Sequence, residues 1–195
     1  MNTTQPISSR RRFWKIVLIF GALHFLVMFL GFLLVENASA GCMFVTPAYF
    51  IVLVVVLPIL ILQRIGAGAA IFLPYAILGF PPVYYYDWMV NHSLVSLWGA
   101  VGWCLIGPLV GFIGDLTFRF LPKGISGKWR AIVVGAVIGT AIFLTTLVAL
   151  ATFYKAATME SHYRFFTQGV YFSLPWLVVN GGFAGYTAYA LTKRV

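Results

Sequence analysis

Residues 45–62, "VTPAYFIVLVVVLPILIL", contain no charged side chain, and five more stretches of this 195-residue chain approach the same condition. A helix that spans a bilayer needs roughly 20 mostly apolar residues. On that measure spanning helices are expected at about 14–35, 43–62, 66–86, 94–114, 131–153 and 169–191. With 62% hydrophobic and only 9% charged residues, the chain has too little polar side chain to cover a water-soluble globule. The expected fold is all-α: a polytopic integral membrane helix bundle forming one transmembrane domain over 1–195, with a short basic tail at 1–12.

The third stretch is the weakest. "GAGAAIFLPYAILGFPPVYYY", 66–86, is uncharged but holds Pro74 and ends on Pro81 and Pro82. Proline removes a helix donor and crowds the preceding turn, so Pro74 should kink this helix and the proline pair should end it. Charge decides whether it crosses. Lysine and arginine in short loops stay on the cytoplasmic side. With six crossings and both termini cytoplasmic, eleven of the 13 basic residues share the inner side, and only Lys155 and Arg164 lie outside. If 66–86 does not cross, the basic residues of "RFLPKGISGKWR" and the C-terminal pair Lys193 and Arg194 fall on opposite sides. Six spans is the preferred topology; five follow if 66–86 is re-entrant or if residues 1–40 are removed.

Removal is a real alternative because "SRRRFWK", 9–15, resembles a twin-arginine export signal, and "ASA", 38–40, resembles a cleavage site. The apolar run that follows is longer than the usual signal core of about 7 to 15 residues, so a retained first span is expected. The expected location is a bacterial inner (plasma) membrane. The formal net charge of +9 does not point to nucleic acid, since the basic residues sit in short clusters between apolar runs.

Polar residues at depth are the pointers to function, because burying them unpartnered costs several kcal/mol, roughly, per group. His24 lies near the middle of the first span and Asn180 near the middle of the last. Asp87 and His92, in the outer loop "YYYDWMVNHS", complete the substrate-path candidates. Glu36 also falls outside. Asp87 and His92 could share a metal with Glu160 and His162 only if two loops met; helix capping at the interface is the preferred reading, and no metal or cofactor is assigned. Asp115 and Arg119, four residues apart, are expected to pair on one helix face. Thr140, Thr145 and Thr146 are expected to bond back to their own helix. Tyr84, Tyr85, Tyr86 and Trp88 read as an interfacial belt.

Three helices carry glycines at four-residue spacing: Gly107 and Gly111, Gly135 and Gly139, Gly181 and Gly185. That spacing puts both glycines on one face and lets backbones approach. Packing within the chain is the preferred reading; a dimerising face is the alternative. Cys42 and Cys104 form no redox or zinc spacing, and no catalytic signature is present: no GxSxG, HExxH, Walker loop or dinucleotide-binding glycines.

Helix count and length resemble the general plan of the membrane-embedded binding subunits of vitamin and metal uptake systems. The resemblance implies a small-solute transport or substrate-binding component, the alternative being a non-catalytic accessory or scaffold subunit of a larger membrane complex. The expected partners are the lipid bilayer and a membrane protein or a second copy of the chain, and not nucleic acid.

Overall fold

The computed structural model describes residues 7–35, 42–74, 76–78, 94–153 and 170–194, with side chains described at 10–27, 48–74, 76–78, 105–148 and 171–194. All regular structure among them is helical. Five long helices, α1 (Ile7–Val35), α2 (Cys42–Leu62), α4 (Leu94–Phe120), α5 (Gly127–Phe153) and α6 (Val170–Thr192), are joined by a shorter one, α3 (Ala67–Leu78). Each apolar stretch read from the sequence therefore carries a helix. Long runs of leucine, valine, isoleucine and alanine satisfy their backbone groups internally only as helix.

Helix ends fall where the sequence places stop signals. α2 ends at Leu62, and Gln63 takes the left-handed conformation (φ 49°) with its N–H on the Ile59 carbonyl at 2.9 Å. Gly66, at φ 91°, completes the turn into α3. α4 ends before Pro122, which lacks the N–H to continue it. Arg130 Nη2 then donates to the Leu121 and Pro122 carbonyls at 3.3 and 3.0 Å, while the guanidinium lies over Phe118. One side chain of α5 thus satisfies carbonyls left over at the end of α4.

The closest seam in the molecule joins α5 and α6. A methyl group added at Gly135 would strike the Gly181 carbonyl, and one added at Gly181 would strike the Gly135 carbonyl. Gly139 meets the Leu177 carbonyl and Gly185 the Ala131 carbonyl in the same way. The two helices lie backbone to backbone over more than two turns. The hydrogens in place of those methyls point at carbonyl oxygens, a geometry that adds weak Cα–H···O attraction to the packing. Around this seam Val52, Val55, Val56 and Ile59 of α2, Val110 of α4 and Val134 and Ile138 of α5 form the apolar core. Thr140 and Thr145 donate to the Ala136 and Ala141 carbonyls, so two of the three expected threonine hydroxyls are retained within α5.

The all-helical fold is as expected, and the six crossings stand as a reading of the sequence. Among the described residues one helical segment, Gly127–Val148, is long and apolar enough to cross a membrane by length and composition; 48–62 and 67–78 are apolar but shorter. α2 and α6 are also tied directly, the Tyr49 hydroxyl donating to Thr187 Oγ1 at 2.8 Å.

Candidate functional site

The start of α3 reads Gly66-Ala67-Gly68-Ala69-Ala70, a run with no side chain beyond a methyl group. That bareness lets α4 come close. A methyl added at Gly68 would lie 2.6 Å from the Gly111 carbonyl oxygen, and one at Gly111 would strike the Gly68 carbonyl. One turn further along α4, Asp115 stands on the same face as Gly111, and its carboxylate reaches the open end of α3. Oδ1 accepts the Gly68 N–H at 2.9 Å; Oδ2 accepts those of Gly66 at 3.0 Å and Ala69 at 3.3 Å.

The first N–H groups of a helix have no partner inside it. Here every one is assigned: Ala67 to the Arg64 carbonyl, Gly68 and Ala69 to Asp115, Ala70 to the Gly66 carbonyl. Asp115 therefore does from another helix what a capping residue does locally. It is 2% exposed. A buried carboxylate is costly unless compensated, and the converging N–H groups at the positive end of the α3 dipole supply the compensation. The carboxylate fills the position that an external anion takes at an open helix N-terminus.

The expected Asp115–Arg119 pair does not form. Arg119 is exposed, and the carboxylate is turned toward α3. Four-residue spacing permits a pair on an isolated helix, but a buried acid facing several unpaired N–H donors is held more strongly than one facing a solvated guanidinium.

α3 is gripped from a second side by α1. Gly21 faces Pro74, whose ring would be 2.5 Å from an added methyl, and the Ile71 carbonyl, at 3.1 Å. His24, one turn on, is 1% exposed and sets its imidazole edge-on to Phe72, ring centroids 4.4 Å apart. Phe72 in turn covers Gly107, where any side chain would collide with its ring. The Pro74 ring supplies the packing surface against α1.

His24 and Gly107, chosen from sequence for separate reasons, thus both pack on Phe72, and Gly111 stands one turn from Asp115. Asn180 lies elsewhere. It sits on α6, and α1 and α6 make no direct contact among the described residues. Asp87 and His92 lie outside the described residues, as do Glu36, Glu160, His162, Tyr84, Tyr85, Tyr86 and Trp88. No cluster of three or more metal-ligating side chains occurs among the described residues.

Sequence reasoning missed Phe72, Gly21 and the role of Asp115. The signal for the last was present: an acid embedded in apolar α4, four residues after a glycine, and a five-residue run of Gly and Ala at the start of the neighbouring helix.

No protein-family model, no curated protein and no solved structure matches this chain.

Proposed function

We propose that this chain is an integral multi-pass membrane protein that binds or moves a small solute, with the joint between α2 and α3 as its working part. Its membrane placement is supported by the surface. Leu18, Ile19, Ile77, Leu105 and Phe183 are each more than half exposed, on four different helices, α1, α3, α4 and α6. A monomer in water rarely exposes contiguous apolar surface on that scale. The opposite character appears near the α4–α5 connection, where Lys128 lies over the Trp129 and Tyr186 rings and Lys193 over Tyr189. Aromatic rings mixed with cations suit the headgroup level of a bilayer.

The observation that carries the solute reading is the buried Asp115 at a helix break. Ionisable groups inside membrane bundles mark ion and substrate pathways by default, and discontinuous helices whose ends face such groups recur at transport sites. Asp115, Gly66, Gly68 and Ala69 form a latch whose hydrogen bonds all depend on one carboxylate. The test is ligand-induced thermal stabilisation of the purified protein across a panel of small metabolites, followed by uptake into proteoliposomes. A stabilising ligand whose uptake is lost in Asp115→Asn supports the reading. No stabilisation by any compound, with no uptake, removes it.

A second reading, an accessory or scaffold subunit, has its own support. Phe172, Val179, Phe183 and Tyr186 form an exposed stripe on α6, on the side away from the α5 seam. The glycine pairs of α5 and α6 are already consumed within the chain, so a membrane partner would have to dock on that aromatic stripe. Cross-linking in native membranes from Phe183 distinguishes the two.

A further inference from the structure

Two polar groups in the described structure have no partner and lie one turn apart. Trp176 Nε1 and Asn180 Nδ2 are both enclosed, and neither has a hydrogen-bond acceptor. An enclosed donor left unpaired costs about 1–3 kcal/mol, so two neighbouring ones need a reason. Their four-residue spacing puts them on one face of α6. Thr187, which bonds Tyr49 of α2, shares that face, whereas Leu177, Gly181 and Gly185 turn toward α5. The donors therefore lie on the α2 side of α6. From Phe50 to Leu62 α2 offers only apolar side chains, which is why no acceptor meets them.

Three features describe what would. Both donors are neutral, and the facing stretch of α2 carries no charge, so the missing acceptor is a neutral oxygen and not a phosphate or carboxylate. The Trp176 ring is stacked on Phe172, 10° from parallel with centroids 5.9 Å apart, and Phe172 is 62% exposed, so a flat molecule can extend the stack from the lipid side. Pro175 lies within α6 and has no N–H to give the Tyr171 carbonyl one turn back. Asn180 stands ten residues into α6, about 15 Å from its start, deep for a lipid ester carbonyl.

We infer that Trp176 and Asn180 form a two-donor site on the α2 side of α6 that holds the carbonyl oxygen of a neutral, planar, membrane-soluble compound. This rests on the membrane-embedded small-solute reading and names the class of solute. A carbonyl in the interior can come from such a compound or from a lipid ester; the chemistry is shared, and the sources separate by experiment.

The test is indole N–H spectroscopy of the full-length protein with 15N-labelled tryptophan in nanodiscs, the Trp176 signal being assigned by its loss in Trp176→Phe. The probe is a short-chain benzoquinone, with the matched carbonyl-free arene as control. The expected result is a saturable downfield shift of the Trp176 indole proton with the quinone and none with the arene. Asn180→Leu should weaken the quinone about tenfold, the loss of one hydrogen bond of about 1.4 kcal/mol. Asn180→Gln should weaken it less. Because Asn180→Leu also removes an unpaired donor, its unliganded melting temperature should not fall, and unchanged Trp14 and Trp129 signals certify its fold. A shift that appears on exchanging diether for diester lipid supports the site with lipid as its source. Equal response to quinone and arene, or a Trp176 signal that responds only to water content, overturns it. A saturable Trp176 shift without uptake of any solute leaves this site standing and removes the transport reading; uptake with a silent Trp176 does the reverse.

Discussion

Asp115 concentrates more of the structure's polar energy than any other described side chain, because three backbone donors depend on it. Replacing it by alanine leaves those donors enclosed and unpaired. Asp115→Ala should lower stability by about 2–4 kcal/mol, and Asp115→Asn, which keeps one acceptor oxygen and presents an N–H to the others, by somewhat less. Thermal unfolding in mild detergent measures both, and since the group is buried the loss should persist at high salt. An unchanged melting temperature for Asp115→Ala would show that α3 starts without its cap. The neighbouring turn gives a pair of opposite sign. Gly66, at φ 91°, should lose about 1 kcal/mol as alanine, while Gln63, at φ 49°, should gain a few tenths or more as glycine. Of this residue-scale detail the sequence displayed the acid and the glycines but not their meeting. Asp115 and Gly68 are 47 positions apart, and helical periodicity relates only neighbours within a turn or two.

Helices were legible because hydropathy acts over whole segments, and each of the six apolar stretches carries one. Their mutual faces were legible in part. The paired glycines announced close approach, but only the structure shows that Gly135 and Gly139 meet the face of Gly181 while Gly107 and Gly111 serve α3. Adjacent glycines of α6 separate these effects. A methyl at Gly181 collides with the Gly135 carbonyl, whereas one at Gly182 finds its nearest neighbour at 3.6 Å, the side chain of Ile132. Gly181→Ala should therefore destabilise by about 1–3 kcal/mol through overpacking. Gly182→Ala should be neutral or stabilising by up to about 1 kcal/mol, since alanine is the better helix former. Melting temperatures of the two variants, recorded side by side, check the register of the whole α5–α6 seam. Equal destabilisation would mean that the seam is rotated by a residue.

For the whole molecule the charge distribution and the packing make one joint demand. The connection 121–126 between α4 and α5 carries Lys123 and precedes Lys128 and Arg130, while Arg10, Arg11, Arg12 and Lys15 line the start of α1. In the proposed multi-pass arrangement, positive-inside orientation would put both groups on the cytoplasmic face. The Tyr49–Thr187 bond sets α2 against α6 at one register, which hydropathy could not reveal because it relates no helix to another. Cysteines introduced at Ser93 and at Ser126 read the consequence. Ser126 is exposed on the short connection next to Lys128, and Ser93 immediately precedes α4, so the length of α4 separates them. In intact cells an impermeant maleimide should modify Ser93→Cys and spare Ser126→Cys, and permeabilisation should expose the second. At 27 residues α4 extends about 40 Å, enough to carry its two ends to opposite faces even when tilted. Modification of both from outside would put both ends of α4 on one face and remove the interior placement of Asp115 that the solute reading requires.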